Sequence, residues 1–330
     1  MRPRERSGRI TMRRWLAAAF AVAFIGTAEA APDKLECLAP AKPGGGFDLT
    51  CQLLRLSLQN AKLVPQPVAV NYMEGGVGAV AYNHVVGSRP GDPGLVVAAS
   101  SGSALLLAQK KFGAHDENAV RWLAALGADY GVLAVSADSP FKSLKELGAA
   151  FKANPGSLPV GGGGAVGSQD WMKAAIFAKA VGVDPKSMRY AALEGGGAVL
   201  TALQGGHVKI GSGDAAEMSA LHKAGKVRIL AVMSEERLPG DLADVPTAKE
   251  QGLDLVWTIW RGYYMGPKVS DADYRWWVDL LTKLAATPEF AAERQARGLF
   301  PFTKIGTDFV QQVKADVARF RELAKEAGLM

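Results

Sequence analysis

Apolar and polar positions follow one another along this chain in a recurring order. A short apolar run is followed by a cluster of small residues and then by an apolar pattern of helical period. The run at 35–40 reads as a strand. Leu49, Leu53, Leu54, Leu56 and Leu58 make a mostly helical pattern, with Pro43, Gly44, Gly45 and Gly46 between the two. The same order returns at 67–72, where Gly75, Gly76 and Gly78 precede a helical stretch over 79–86. It returns at 95–99, where Ser100, Ser101, Gly102 and Ser103 precede a helix over 104–109. Two strands are predicted at 122–127 and 131–135, on either side of Ala128, Asp129 and Tyr130.

Ser139-Pro140 breaks the chain, and Ser143 with Glu146 forms a capping box that opens a helix. The pattern then repeats with strands at 158–161 and 188–192. Their loops, 162–168 and 194–197, lead into helices at 169–181 and 198–204. A strand at 207–211 ends at Ser212, Gly213 and Asp214, and another spans 227–233. A short helix is predicted at 246–252 and a return strand at 255–262, with Trp257 and Trp260. Helices starting at Ser270, Pro288 and Thr307 complete the chain, the last expected to pack its terminal apolar residues on the first lobe. Strand, small-residue loop and helix in succession predict an α/β fold with parallel strands and crossover helices. In such sheets ligands bind outside the carboxyl ends of the strands, where the small-residue loops lie.

Composition removes several function classes. Residues 1–30 read as a secretory signal peptide cut after Ala30: six arginines, an apolar stretch at 15–25 and the small-x-small pattern Ala28-Glu29-Ala30. Met12 is an alternative start. That segment holds six Arg and two Glu, so without it the net charge falls from +6 to +2. A nearly neutral chain is a poor nucleic-acid partner. No later run is long enough to span a membrane, and no cysteine near the cut suggests a lipoprotein. The chain has two cysteines, Cys37 and Cys51, and an exported chain is expected to join them across the first glycine loop. Closing a loop of about 15 residues is worth roughly 3 kcal/mol in the chain-entropy description. Metal binding is not expected, because no histidine lies nearby.

Catalytic chemistry is not visible. Residues 162–167 match G-x-G-x-x-G, but a glycine run meets that pattern easily, and Asp184 precedes its strand instead of ending it. There is no Walker lysine and no G-x-S-x-G elbow, and His84, His115, His207 and His222 are scattered. No enzyme and no cofactor are therefore expected. The glycine loops suggest anion binding instead. They clear side chains from the backbone, and the helix that follows presents free N–H groups and a favourable dipole. Asp48 is placed to cap the first of these helices. One helix terminus supplies only about 0.3–1 kcal/mol, whereas micromolar binding needs about 8 kcal/mol. Several loops must act together, as they would if two lobes faced each other across a cleft. The lobe boundaries read as 31–134 and 256–330 for the first lobe and 135–255 for the second, with hinges near 133–137 and 256–261.

The motifs Ala39-Pro-Ala-Lys-Pro-Gly-Gly-Gly-Phe-Asp48, Met73-Glu-Gly-Gly-Val-Gly-Ala79, Gly164-Ala-Val-Gly-Ser-Gln-Asp-Trp171, Glu194-Gly-Gly-Gly197, Arg237-Leu-Pro and Val245-Pro-Thr-Ala-Lys-Glu-Gln-Gly252 resemble the substrate-binding proteins of tripartite tricarboxylate transporters, the Bug family. The likeness covers essentially all of 31–330 and is nearest the tricarboxylate-binding branch, through Lys42 and the flanking cysteines. It implies a two-lobed type II periplasmic binding fold. It also implies a carboxylate gripped by backbone N–H groups of 43–48 and 163–168, with bridging waters.

The candidate ligand set takes Lys42, Pro43, Gly44, Gly45, Gly46 and Asp48 from the first loop, Gly75 and Gly76 from the second, and Ser101 and Ser103 from the third. Gly163, Gly164, Val166, Gly167 and Ser168 come from the fourth loop and Gly196 from the fifth, joined by Asp214 and Arg261. Lys42 and Arg261 are read as ligands for extra carboxylates, with a solvated surface charge as the alternative for each. The implied function is a monomeric periplasmic receptor that binds citrate or a related tricarboxylate and delivers it to membrane permease subunits. The alternatives are a dicarboxylate or aromatic-acid receptor, or an exported protein that presents its ligand to a sensor kinase.

Overall fold

The computed structural model describes residues 32–193 and 196–330. The predicted signal peptide, and Glu194 and Gly195 of the fifth loop, lie outside the described residues.

The first half of the sheet starts with three parallel strands, each followed by a helix. Strand β1 (Glu36–Ala39) leads to α1 (Gly46–Asn60), β2 (Ala69–Tyr72) to α2 (Ala79–Ser88), and β3 (Leu95–Ser100) directly to α3 (Ser101–Ala108). The long strand β4 (Arg121–Ser136) and helix α4 (Leu144–Ala153) carry the chain into the second half. There β5 (Val160–Gly163), β6 (Tyr190–Leu193) and β7 (Ile210–Asp214) are again parallel and are followed by α5 (Gln169–Ala180), α6 (Gly196–Gln204) and α7 (Ala215–Lys223). After β8 (Val227–Val232), the chain returns through β9 (Thr258–Met265), α8 (Asp271–Ala285), α9 (Pro288–Ala296), β10 (Lys304–Ile305) and α10 (Thr307–Glu326).

The strand order is β2-β1-β3-β9-β4-β7-β5-β6, with β8 and β10 also paired to β4. Strand β4 joins the halves. Up to Tyr130 it pairs antiparallel with β9; from Gly131 onward it pairs with β7 and β8. The second connection passes through Trp257, whose N–H donates to Met233 and whose carbonyl accepts from Gly131. The result is a curled mixed sheet with helices against it, the two-lobed architecture of type II periplasmic binding proteins.

Four sequence expectations are corrected here. The two strands predicted around Ala128–Tyr130 are one, because Ala128, Asp129 and Tyr130 keep their ladder with Trp260, Ile259 and Thr258. The return strand is β9, three residues later than 255–262, and the helix at 246–252 shrinks to a single 3₁₀ turn, Lys249–Gln251. The terminal apolar residues do not all return to the first half. Phe309 packs edge-on against Trp122 and Trp260, but the end of α10 reaches the second half. There Glu326 pairs with Lys179 of α5, and Leu329 lies against Gly167.

Cys37 of β1 and Cys51 of α1 are both buried and form a disulfide, with Cα atoms 5.5 Å apart. Among the described residues no helix is long and apolar enough to cross a membrane.

Candidate ligand-binding cleft

The first glycine loop folds back on its own helix. Gly45 occupies the N-cap position with no side-chain cap, so Asp48 sits in the first turn instead of at the cap itself. Its carboxylate accepts hydrogen bonds from the Gly44 N–H at 2.7 Å, from the Tyr72 hydroxyl at 2.9 Å and from Gln52. Partial burial works against its ionisation, but those hydrogen bonds prevail and hold the carboxyl below the ordinary aspartate range. Gly46 leaves little room for a side chain unless Arg261 shifts. A Cβ there would come within 2.4 Å of Nη1 of Arg261, whose guanidinium lies against the loop. The N–H groups of Gly45, Gly46 and Phe47 donate to no protein group among the described residues. Pro43 and Gly44 are exposed. Lys42 is 79% exposed and pairs at 3.5 Å with Glu74 of the second loop, where Gly75 and Gly76 are also exposed.

The third loop has a different role from the one expected. Ser100 accepts the Gly102 N–H, while the Ser103 hydroxyl accepts the Ser100 N–H. Ser103 is therefore a buried capping group of α3 with no face toward a ligand. The Ser101 hydroxyl donates to Oε1 of Gln169 at 3.1 Å, and Nε2 of Gln109 donates to the Gly167 carbonyl at 2.9 Å. Both bonds tie α3 to the loop that opens α5, across the two halves of the sheet.

That fourth loop mirrors the first. Gly163 ends β5 and donates its N–H to Asp170 at 2.6 Å. Gly164 and Gly167 adopt φ of +81° and +87°, which L side chains rarely take. Ser168 caps α5 by accepting the Trp171 N–H, and its hydroxyl donates to the Gly163 carbonyl, so it is not free to donate elsewhere. The N–H groups of Ala165, Val166 and Gly167 donate to no protein group among the described residues, and the Val166 side chain is exposed.

Charge is concentrated where the halves meet. The fully buried Lys173 lies 2.6 Å from Asp170 and 2.5 Å from Asp214, and also donates to the Gly213 carbonyl. Gly131 makes room for its stem, since a Cβ there would come 2.6 Å from Lys173 Cδ. Burial opposes its charge, but Asp170 and Asp214 outweigh it and raise its pKa. Arg261 reaches Asp214 at 3.3 Å and Asp129 at 3.6 Å. Asp129 is fully buried. Its Oδ1 accepts from the Tyr130 and Ala216 N–H groups, and burial, then the Asp214 charge, push it up to about 6.

Glu217 extends from α7 over the start of α6, so that a Cβ on Gly196 would come 1.8 Å from its Oε2. The side chain still reaches solvent, yet the protein crowded around it, and then Asp214 and Asp170, raise Glu217 to about 7. The N-terminus of α6, expected to hold a ligand through Gly196, thus already faces an acid of the protein itself. A cavity of about 470 Å³ between α7 and α9, lined by Ser219, Leu242, Arg294 and Phe300, is bordered by none of the glycine loops.

Of the residues expected from sequence, Gly45, Gly46, Val166 and Gly167 present N–H groups without a partner among the described residues, and Asp214 and Arg261 meet in one network. Asp129, Asp170 and Lys173, which belong to that network, and Glu217 beside it were not singled out from sequence. Asp170 and Lys173 are legible only as an i, i+3 pair on a helix, a pattern common on solvated faces. Nothing local marks Asp129 or Glu217.

Two α/β halves joined by two crossings, with glycine loops at the strand ends between them, define a solute-binding protein. Residues 54–329 match the tripartite tricarboxylate transporter family receptor, and the chain belongs to that family. Family and fold are those of receptors that bind solutes and catalyse nothing, and the family is periplasmic. Over 145 residues the chain is 34% identical to the UPF0065 protein in the gbd 5′ region of Cupriavidus necator; the match spans 44% of this chain and 42% of that relative. A TctC solute-binding protein from Polaromonas, solved without ligand, has a TM-score of 0.72 at 24% identity, over 91% of this chain and all (100%) of that one. MatC from Rhodopseudomonas palustris, solved with malate, has a TM-score of 0.74 at 20% identity, over 88% of this chain and 98% of that one. A further R. palustris protein, solved with adipate, reaches 0.79 at 20% identity, over 89% and 97%. At these identities the likeness is one of fold.

Proposed function

We propose that this chain is the exported receptor of a tripartite carboxylate transporter, which binds a small organic acid between its lobes and hands it to membrane permease subunits. The observation that supports this most is the set of unpartnered N–H groups at 45–47, at the start of α1, and at 165–167, in the loop that leads into α5. Backbone donors fixed by the fold bind a carboxylate without reorganising, and several charge-assisted bonds at about 1.5–3 kcal/mol each offset the ordering of the ligand. In this reading the signal peptide is removed after Ala30, and closure bends the crossings near 133–137 and 256–261.

The charges favour an acid of low charge. Arg261 is already engaged by Asp214 and Asp129, and Lys42 by Glu74. A dicarboxylate or aromatic monocarboxylate therefore suits the cleft better than a trianion. Citrate, to which the family and Lys42 point, is the second reading, and it requires Lys42 to leave Glu74. A thermal-shift series of mono-, di- and tricarboxylates tests both, because a ligand of the native state alone raises its melting temperature. Stabilisation by di- or monocarboxylates supports the first reading, stabilisation by citrate the second, and no response to any acid removes both.

A further inference from the structure

The cavity of about 470 Å³ lies between α7 of the second half and, in the first, α9 with the turn that follows it. Binding pockets for small molecules measure about 300–1,000 Å³. Its walls are largely apolar, with Leu242 from one half and Leu299 and Phe300 from the other. The Phe300 ring is itself packed against Tyr130, ring centres 5.6 Å apart. Arg294 lines the same space and forms no hydrogen bond or ion pair among the described residues, and its Nε is buried without a partner. The guanidinium carbon lies 5.6 Å from the centre of the Phe290 ring, a contact that accepts none of the in-plane N–H groups. Burial works against the arginine's charge, and no carboxylate offsets it. The cations around it are engaged: Arg297 by Glu293, and Lys223 by Asp241, the acid on the cavity wall.

Buried polar atoms in native proteins are nearly always paired, so a free guanidinium on a cavity wall asks for an anion. Its planar fork matches a carboxylate with two parallel N–H···O bonds. A neutral molecule would leave the arginine unpaired. A small inorganic anion would pair it but leave the apolar walls without contacts. An acid with a hydrocarbon or aromatic body satisfies both. We propose that this cavity is a second binding site, distinct from the cleft of the glycine loops, for a small organic acid whose carboxylate pairs with Arg294 and whose apolar body lies between Leu242, Leu299 and Phe300. The occupant touches both halves of the sheet at once. The inference goes beyond the receptor reading, because none of the loops on which that reading rests borders this space.

Benzoate, phenylacetate and hexanoate test it, each compared with its neutral amide and with sulfate by calorimetric titration into the wild type, Arg294→Gln and Gln295→Trp. Gln295 is an exposed residue of the cavity wall, and tryptophan there obstructs the space while leaving Arg294 in place. In the wild type at least one acid should bind about tenfold more tightly than its amide, the value of one charge-assisted hydrogen bond. Sulfate should bind more weakly than that acid. Each substitution should weaken the acid about tenfold or more; where the acid also occupies the glycine-loop cleft, the stoichiometry should instead fall from two to one. An acid that binds both variants as it binds the wild type sits elsewhere, which overturns the second site and leaves the receptor reading standing. Binding of no acid to the wild type overturns the site as well. Amide or sulfate binding as tight as the acid overturns its chemistry. A loss in Arg294→Gln alone overturns the placing in the cavity, and a loss in Gln295→Trp alone overturns the role of Arg294. If one variant does not fold, the other decides together with the acid and amide pairs.

Discussion

Glu217 is an exposed acid whose neighbours are mostly acids. It is faced by Asp214 from β7, Asp170 from α5 and Asp129 from β4, and by the cation Arg261 from β9. Its folded pKa, about 7, is above the ordinary glutamate value of 4.5. A carboxyl raised in this way supports the fold fully below its unfolded value and withdraws that support as pH rises through the folded value. The window therefore runs from about 4.5 to 7, and Asp129, raised to about 6, acts in the same direction over its lower part. Glu217→Gln should raise the urea midpoint of the ligand-free protein relative to wild type at pH 8, with a smaller gain at pH 4.5. Equal gains at both pH values would mean that Glu217 does not titrate in this window. The partial exposure of the side chain limits the size of the effect but not its sign.

Among the elements, α1 is tied covalently to its strand. The disulfide from Cys51 to Cys37 closes a separation of 14 residues around the glycine loop, so the loop that presents the free N–H groups is fixed at both ends. Replacing both cysteines by serine should lower stability by about 3 kcal/mol, the value of a closed loop of this size, read from urea unfolding of the oxidised and variant proteins. A loss below about 0.5 kcal/mol would show that the surrounding core, which buries Leu53, Leu54 and Leu58 of α1, holds the loop unaided. The opposite end of the chain is also structural. Helix α10 buries Phe309, Val313, Val317 and Phe320, and Trp260 donates its indole N–H to Asp316 at 2.8 Å. It runs from the Trp122 and Trp260 cluster to Lys179 of α5 and so lies against both halves of the sheet.

For the molecule as a whole, the two crossings, at β4 and at Trp257, are the segments in which a rotation of one half against the other would concentrate. If binding closes the cleft, small-angle scattering should show a smaller radius of gyration at saturating ligand. An unchanged radius would indicate that the cleft binds without closing. Such a result is physically reasonable, because Ser101–Gln169 and Gln109–Gly167 bridge the halves.

The order of elements, the glycine loops at strand ends and the lone cysteine pair were all legible in the chain, because each is a local property. Hydrophobic period distinguishes strand from helix, three adjacent glycines mark a backbone approach, and two cysteines leave one pairing. The free N–H groups of 45–47 follow from the same local rules, as a helix start that needs no distant partner, and those of 165–167 belong to the glycine loop before the cap of α5. Contacts between residues far apart in sequence were not legible. Whether Ser103 faces a ligand or caps its own helix depends on a rotamer, and whether Lys42 is a ligand or a surface charge depends on where Glu74 lies. Local pattern placed a break at Ala128–Tyr130 because those residues interrupt an apolar run; the partner strand β9 continues the ladder through them. The acidic cluster draws Asp129, Asp170, Asp214 and Glu217 from four different elements, and no window of sequence brings them together. Electrostatic energy depends on distance through space, so the pairing of these acids with Lys173 and Arg261 was decided only by the tertiary structure.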